Sequence, residues 1–265
     1  MTQFIKPDLT KERGFILRDS FYAEAKKFPF HCDRYSRISI VLSGGLREVV
    51  NDREEFGEAM SIVVKPCDAK HLNEFSPQGA RILSIEWDTD QTPDFLNIPA
   101  LSNWQWHHDT SQAAAATQFL TQLSEAKKCA EIETGIIDLI ANLEVRKNSH
   151  LKTPPQWLQH IAERLCDEHA EPPQVQQLAA EAGVHPVYLA RIFRQFYGCS
   201  IKDYLHQFRI RQAVHALAST NTPLVHVALD QGFADQSHLN RLFKREMGVS
   251  PGQFRKLTQV SFVQD

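Results

Sequence analysis

A near-repeat in the last third of this 265-residue chain constrains its fold more than any other feature. The segment Leu189-Ala-Arg-Ile-Phe-Arg194 is followed by Gly198-Cys-Ser200. The same pattern returns as Leu239-Asn-Arg-Leu-Phe-Lys244, followed by Gly248-Val-Ser250. In both copies the apolar residues recur at the spacing of one buried helical face. Because a match of this length rarely arises twice by chance, the chain is predicted to contain two related helical units.

A small residue and a glycine also recur upstream of each copy. Ala179 lies four residues before Gly183, and Ala228 lies four residues before Gly232. An alanine lets two helices cross closely, and a glycine adopts the positive φ that a tight turn needs. A helix, a glycine-containing turn and a second helix form the order of a helix-turn-helix motif. The apolar residues of segment 201–218, between the copies, predict a long helix that joins the two units.

The second copy carries start and stop signals for its last helix. Asp235 is a predicted N-cap, Gly248 a predicted left-handed terminator, and Ser250-Pro251 predicts the start of another helix. Four apolar residues are predicted to form the buried face: Leu239, Leu242, Phe243 and Met247. The opposite face is rich in cations and amides: Gln236, Ser237, His238, Asn240, Arg241, Lys244 and Arg245. This pattern is typical of a recognition helix.

Charge is distributed unevenly along the chain. The formal net charge of −3 argues on its own against a nucleic-acid partner. Between residues 186 and 257, however, ten Lys and Arg residues are opposed by only four Asp and Glu residues. Cations on a recognition helix neutralise phosphates and displace counterions, and an arginine can also bond to the edge of guanine. The C-terminal region is therefore predicted to bind DNA; the alternative is a pair of packed helical hairpins with solvated charges.

The first half of the chain is predicted to be rich in β-strands. Gly, Pro, Asn and Asp residues separate short apolar or alternating runs, as they do between strands. The predicted strands are Gly14–Arg18, Arg37–Leu42, Leu46–Val50, Ala59–Lys65 and Ala80–Trp87. Gly44-Gly45 and Asn51-Asp52 are interpreted as tight turns. Strands at this spacing predict an antiparallel sandwich or a small barrel.

Two segments of this half, residues 30–33 and 64–71, resemble the motifs of the cupin barrel. The cupin metal site takes an H-x-H pair, a Glu and a later His; this chain keeps His31 and His71 but has Asp33 at the second position and lacks the Glu. The resemblance therefore implies a barrel that binds a small molecule, with no metal, no other cofactor and no catalytic residues. A divalent metal on the two histidines and Asp33 stays an alternative, since imidazole and carboxylate are ordinary ligands.

Ligand-binding residues are predicted from the barrel interpretation alone. They are the aromatic and imidazole side chains of Phe30, His31, Tyr35, His71 and Trp87. Downstream, segments Ser111–Leu123 and Glu133–Val145 are predicted to be helical. Each carries one apolar stripe: Phe119, Leu120 and Leu123 in the first, and Ile136, Ile137, Ile140 and Leu143 in the second. The stripes pack on the barrel or form a homodimer contact, and the pattern leaves both open.

The polar, proline-marked segment from Arg146 to Pro155 predicts an interdomain connection. The predicted domains are a cupin-like sensing barrel (1–108), a helical segment with a linker (109–150) and a double helix-turn-helix domain (154–265). The five cysteines are scattered and form no C-x-x-C pair, which indicates a reducing cytoplasm. Neither a secretory leader nor a membrane span is predicted, so the expected location is cytoplasmic.

Three segments of the last hundred residues together resemble the DNA-binding domain of the AraC/XylS family of transcription regulators. They are Ala228-Leu-Asp-Gln-Gly-Phe233, Ser237-His-Leu-Asn-Arg-Leu-Phe-Lys244 and Gly248-Val-Ser-Pro-Gly-Gln-Phe-Arg255. The resemblance implies two helix-turn-helix units that enter successive major grooves, roughly 34 Å apart, on one face of DNA. It also implies a sensor domain in the first half of the chain, where a cupin-like barrel is usual.

The resemblance also implies which side chains contact DNA. In the first recognition helix they are Val187, Tyr188, Ala190, Arg191 and Arg194. In the second they are Gln236, Ser237, His238, Asn240, Arg241 and Lys244. One departure is His185-Pro186, which stands where the family usually has a serine cap. Because Val187 and Ala190 hydrogen-bond poorly, the first helix is expected to contact fewer base edges than the second.

The predicted function is that of a sequence-specific transcription regulator rather than an enzyme. A small-molecule effector bound in the first half would control it, and promoter DNA, a second copy of the chain and RNA polymerase (for an activator) are the candidate partners. Two alternatives stay open. The chain could be a constitutive dimeric regulator without an effector, or a cupin-type metalloenzyme with a helical appendix.

Overall fold

The computed structural model describes residues 2–4, 14–87, 100–126, 128–144 and 153–259. The first part is a single eight-stranded antiparallel sheet, and helices form the rest. The strands are β1 (Thr2–Phe4), β2 (Phe15–Tyr22), β3 (Lys27–His31), β4 (Ser36–Val50), β5 (Arg53–Gly57), β6 (Ile62–Lys65), β7 (His71–Trp87) and β8 (Gln105–His107). The sheet runs in the order β1-β2-β7-β4-β6-β8, while β3 pairs with β7 and β5 pairs with β4. Within the described strands the sheet is open, because β1 and β8 lie at its two ends.

Two long strands, β4 and β7, hold the sheet together along most of their length. The predicted strands Arg37–Leu42 and Leu46–Val50 are one continuous strand rather than two. Gly44 and Gly45, interpreted as a turn, lie inside β4 at an irregularity in its register with β7. Gly44 has a φ of +74°, and a Cβ there would meet the backbone oxygen of Gly79. The glycine pair therefore permits a bulge that bends the strand. In a sequence, a glycine pair at a bulge looks the same as a glycine pair at a turn.

The other predicted turn is confirmed. Asn51 and Asp52 connect β4 to β5, with Val50 paired to Arg53 across a two-residue hairpin. Asn51 adopts a positive φ of 53°, a conformation that asparagine tolerates better than most residues.

The described helices follow the sheet in sequence. They are α1 (Thr110–Glu125), α2 (Cys129–Glu144), α3 (Gln156–Asp167), α4 (Val175–Glu181), α5 (Pro186–Tyr197), α6 (Ile201–Ser219), α7 (Leu224–Asp230), α8 (Gln236–Met247) and α9 (Pro251–Gln259). The pairs α4–α5 and α7–α8 are the two predicted helix-turn-helix units, and α6 is the predicted joining helix. Within the described residues, none of the helices combines the length and the apolar character that crossing a membrane would require.

The turns of the two units have the same backbone hydrogen bonds. In the first unit Val184 N donates to Ala179 O at 2.9 Å, and in the second Phe233 N donates to Ala228 O at 2.9 Å. The glycines that precede these donors have φ values of +65° and +72°. A left-handed residue followed by such a bond is a Schellman end, which satisfies carbonyl groups at the end of a helix. The repeat in the sequence is thus a repeat in backbone geometry.

The two units differ in where their cores lie. The first unit packs its buried residues, including Leu189 and Phe193, against α3 in a separate apolar cluster. The second unit places Leu239, Leu242 and Phe243 in one large cluster that also contains the inner face of the sheet. Helix α1 lies between the sheet and the second unit, and it contacts α8, α9 and α6. The second unit is therefore packed onto the N-terminal half, and the first unit is not part of that core.

The apolar stripes of α1 and α2 are largely covered within the chain. Phe119, Leu120 and Leu123 of α1 are buried, as are Ile136, Ile140 and Leu143 of α2. Ile137, the remaining member of the second stripe, is 49% exposed. The predicted boundary at Arg146–Pro155 lies mostly outside the described residues.

Candidate nucleic-acid interface

Helix α8 has the cap and the two faces that its sequence predicts. The Asp235 carboxylate accepts a hydrogen bond from His238 N at 2.7 Å, and Gly248 ends the helix with a φ of 78°. The four predicted core residues are all buried: Leu239, Leu242, Phe243 and Met247. The next helix begins as predicted, because Ser250 Oγ accepts from Gln253 N and Pro251 occupies the first helical position.

The outer face of α8 is polar and accessible. Ser237, Arg241 and Lys244 are exposed, and Gln236, His238 and Asn240 are half-buried. All six predicted contact residues thus lie away from the fully buried face of the helix. Their side chains include an amide, an imidazole and a guanidinium, which are groups that can bond to base edges in a major groove.

The N-terminus of helix α5 is capped by a histidine instead of the serine that is usual in the family. His185 Nδ1 accepts from Val187 N at 3.3 Å, so an imidazole takes the place of the usual serine cap. Pro186 follows at the first helical position, where its missing N–H costs nothing. Leu189 and Phe193 are fully buried, and Gly198 ends the helix with a φ of 72°.

The outer face of α5 is partly apolar. All five predicted contact residues are exposed: Val187, Tyr188, Ala190, Arg191 and Arg194. Val187 is 71% exposed and Tyr188 is 42% exposed, which is unusual for side chains with so much apolar surface. The Arg191 guanidinium lies 5.2 Å from the Tyr188 ring, whose centroid is 6.5 Å from that of Trp157. Tyr188 is therefore held between two side chains, a contact with α3 that the sequence pattern did not reveal.

The cations of the C-terminal region divide into two groups. In the described part of the chain, Arg191, Arg194, Arg241 and Lys244 form no ion pair, whereas Arg245 pairs with Glu246 at 2.6 Å. Arg209 is buried, and its guanidinium donates to the carbonyls of His169 and Ala170. Not every cation between residues 186 and 257 can therefore contact a partner, because Arg209 is used to hold α6 against the loop after α3. On the two recognition helices, the available cations are Arg191, Arg194, Arg241 and Lys244.

The predicted ligand residues of the N-terminal half do not converge on one site. His31 and His71 come together, with ring centroids 4.3 Å apart. Phe30 is 48% exposed, and Trp87 is buried in the large apolar core. Tyr35 is half-buried beneath the guanidinium of Arg34, which lies 5.1 Å from its ring.

A buried network of charges, which the sequence interpretation missed, surrounds the two histidines. Arg37 bridges Asp33, at 2.9 Å, and Glu86, at 3.4 Å. Lys65 pairs with Glu48, and both side chains are almost completely buried. The signal available in the sequence was the position of Arg37 directly before the alternating apolar residues Ile38 and Ile40, and of Lys65 at the end of the apolar run Ile62–Val64. Burial lowers the pKa of His71, and the charge of Lys65 lowers it further.

Two adjoining cavities lie between the sheet and helix α6. One has a volume of about 260 Å³ and is lined by Glu58, Met60, His108, Arg211 and His215, among others. The second, of about 400 Å³, shares Glu58 and His215 with the first and extends along Gly44 and Ser219. Both cavities touch the N-terminal half and the helix that joins the two DNA-binding units.

Comparison with known proteins agrees with this geometry. A family described as a helix-turn-helix domain matches residues 178–257. The transcriptional activator RhaS of Escherichia fergusonii is 28% identical over 163 residues, which cover 57% of this chain and 57% of RhaS. The activator RhaR of Klebsiella pneumoniae is 24% identical over 279 residues, which cover 96% of this chain and 98% of RhaR. The first relative is thus matched over little more than half of its length.

A solved structure matches the C-terminal part alone. The C-terminal domain of AraT, a response regulator from Geobacillus stearothermophilus, is 27% identical and is covered to 95% of its length. The match covers 43% of this chain with a TM-score of 0.39. Both curated relatives are named as transcriptional activators, which agrees with the prediction of a transcription regulator rather than an enzyme. Residues 178–257 of this chain form a DNA-binding helix-turn-helix domain of the AraC type.

Proposed function

We propose that this protein is a transcription regulator that binds promoter DNA through both helix-turn-helix units at once. The observation that carries the proposal is the exposure of unpaired cations at equivalent positions of the two recognition helices. Arg191 and Arg241 occupy the same place in the repeat, and both are exposed. Two such helices joined by one long helix suit successive major grooves on one face of a duplex.

The two helices would contribute different contacts. Val187 and Ala190 of α5 are apolar and fit thymine methyl groups, while Arg194 neutralises a phosphate. Gln236 and Asn240 of α8 can form paired hydrogen bonds to adenine, and Arg241 can do so to guanine. Lys244 would contact the backbone. The second helix would therefore supply most of the hydrogen bonds that distinguish one base from another.

We further propose that an effector bound to the N-terminal half controls the protein. An effector can shift the molecule only if it binds one arrangement of the two halves better than another. The cavities beside α6 support this proposal, because a molecule there would touch Glu58 on one side and Arg211 on the other. Cavities at domain boundaries are common places for small ligands. A thermal-shift screen with metabolites tests this step, since a ligand of the folded state raises its stability.

A constitutive regulator without an effector is the second candidate. It is favoured by the buried charges around Arg37 and Lys65, which pair with one another rather than with an open pocket. If no metabolite stabilises the protein and its affinity for DNA is constant across growth conditions, this candidate replaces the effector-controlled one.

The remaining parts of the proposal concern assembly and fold. We propose that the regulator acts as a homodimer in the cytoplasm, contacts RNA polymerase as an activator, and has an N-terminal half of the cupin type. The exposed Ile137 of α2 is the apolar residue that a dimer contact would cover. Sedimentation of the purified protein, with and without Ile137→Asp, distinguishes a dimer through α2 from a monomer or another dimer.

The DNA-binding proposal is tested by a gel-shift titration at fixed salt on the promoter that the protein protects in a genome-wide footprint. Arg241→Ala should weaken specific binding by roughly 1–3 kcal/mol, because it removes a charged contact to base or phosphate. Lys128→Ala, which removes an exposed cation from the N-terminal half, is the matched control and should leave affinity unchanged. Equal affinities of wild type and Arg241→Ala would contradict the assignment.

A further inference from the structure

Three side chains at the end of β3 and the start of β7 present ligand atoms to one another. One nitrogen each of His31 and His71 and one oxygen of Asp33 all lie within 4.8 Å of one another. His71 Nε2 is 3.4 Å from Asp33 Oδ2, and His31 Nε2 is 3.9 Å from Asp33 Oδ1. The arrangement lies outside the DNA-binding domain, and the proposed function makes no use of it.

Both imidazoles are oriented by backbone carbonyls. His71 Nδ1 lies 2.8 Å from Ala69 O, and His31 Nδ1 lies 2.7 Å from Pro29 O. A carbonyl only accepts hydrogen bonds, so Nδ1 carries the proton in each ring. In a neutral imidazole the lone pair is then on Nε2, the atom that approaches Asp33. Metal-binding histidines are held in the same way, with the other ring nitrogen bonded to a carbonyl or carboxylate.

Two of the facing atoms lack a hydrogen bond although they are buried. In the described part of the chain, neither His71 Nε2 nor Asp33 Oδ2 has a hydrogen-bond partner. His71 is completely buried, so water does not solvate this nitrogen. A lone pair that faces a carboxylate oxygen is repulsive, and a buried polar atom without a partner is costly. A positive charge between the two atoms would remove both costs.

The neighbouring cations do not supply that charge. Arg37 binds Asp33 through Oδ1, which leaves Oδ2 available. Lys65 Nζ pairs with Glu48 and lies 3.8 Å from Asp33 Oδ2, beyond hydrogen-bonding distance.

We propose that His31 Nε2, His71 Nε2 and Asp33 Oδ2 form a binding site for a divalent transition-metal ion such as Zn²⁺. Two imidazoles and one carboxylate suit zinc, cobalt or nickel, whereas magnesium and calcium prefer ligand sets made of oxygen. The His31 side chain is 35% exposed, so the ion can enter from solvent. Three protein ligands are the usual number where a further position is open to another molecule. The site would join β3, the loop that follows it and the start of β7, independently of DNA binding.

Cobalt is the probe that tests the site most directly. The full-length protein, stripped with a chelator, is titrated with Co²⁺ while visible absorption is recorded, and bound Co²⁺ is then displaced by Zn²⁺. The wild type should bind one equivalent of Co²⁺. His31→Ala and Asp33→Asn should each weaken binding by at least about tenfold, since each removes a direct ligand. Cys32→Ser, beside the site, and His226→Ala, an exposed histidine of α7, are the matched controls and should bind as the wild type does.

A second measurement distinguishes a failure of the metal site from a failure of the proposed DNA binding. Gel shifts with the stripped protein and with His31→Ala show whether DNA binding is retained, and we expect it to be. The metal site is overturned if wild type binds Co²⁺ no more tightly than His31→Ala, or if binding is lost in Cys32→Ser and not in His31→Ala. His31 is partly exposed, so His31→Ala should fold even if Asp33→Asn does not, and circular dichroism verifies this.

Discussion

The two helix-turn-helix units share a backbone but differ in what holds them in place. Both have a Schellman turn at a left-handed glycine and a recognition helix that ends at another. The first unit rests on α3 and has its own core, which contains Phe193. The second unit rests on α1 and shares the core of the N-terminal half through Phe243. A change in the N-terminal half can therefore reach the second unit through direct packing. In the described part of the chain, the core of the first unit shares no apolar cluster with that half.

Their outer faces differ as well. Val187 and Tyr188 give α5 an exposed apolar end, while Gln236, Ser237 and Asn240 give α8 a polar one. The sequence repeat preserves the residues that fix the backbone, and the surface positions between them vary. The comparison indicates one scaffold used twice, once tied to the N-terminal half and once independent of it.

The largest expected loss of stability comes from removing one buried aromatic ring from the core of each unit. Phe193→Ala and Phe243→Ala each remove a fully buried ring and should cost about 3–5 kcal/mol locally. Hydrogen exchange should show faster exchange confined to α3–α5 for Phe193→Ala. For Phe243→Ala it should spread to α1 and the sheet, because the core is continuous there. Exchange limited to α7–α9 in the second variant would mean that the two halves are not one packed unit.

The next largest effect is expected from replacing the turn glycines, which should destabilise the two units by different amounts. Gly183→Ala places a Cβ in open space, so only the left-handed φ opposes it, at about 1–2 kcal/mol. Gly232→Ala meets the same strain and also places a Cβ 2.7 Å from the Ala170 backbone, which should add roughly 1–3 kcal/mol. Urea unfolding of the two variants, followed by hydrogen exchange, measures the difference. Equal costs would show that the contact of the second turn with the loop after α3 is absent in solution.

The caps should give the smallest effect. Asp235→Ala removes a carboxylate that accepts at 2.7 Å and should cost about 0.5–2 kcal/mol. His185→Ala removes an acceptor at 3.3 Å on an exposed imidazole and should cost less. Thermal unfolding of each variant against wild type measures both, and a larger loss for His185→Ala would reverse the expected order.

Local features were predictable from the sequence because neighbouring residues determine them. The N-cap at Asp235, the helix end at Gly248 and the buried face around Phe243 depend on spacing within a few turns. The Asn51–Asp52 hairpin is of the same kind. Helical periodicity is also enough to place the predicted DNA-contact residues on the outer faces of α5 and α8.

Long-range features were not predictable. Gly44 permits a bulge because Gly79, which is distant in sequence, lies against it. Trp87 joins the apolar core although its aromatic character also suited a ligand pocket. The packing of α1 against α8 depends on how the halves meet, and a stripe such as Phe119–Leu123 does not identify its partner.

Selection of bound sequences from DNA randomised across the operator tests the division between the two helices most directly. Wild type, Val187→Ala and Asn240→Ala are compared under one salt concentration, because affinity for DNA depends on salt. We predict that Val187→Ala loses a thymine preference in one segment and Asn240→Ala loses an adenine preference in another, about one helical turn away. If both variants change the same positions, or if neither changes any, the two helices do not contact separate segments of one site.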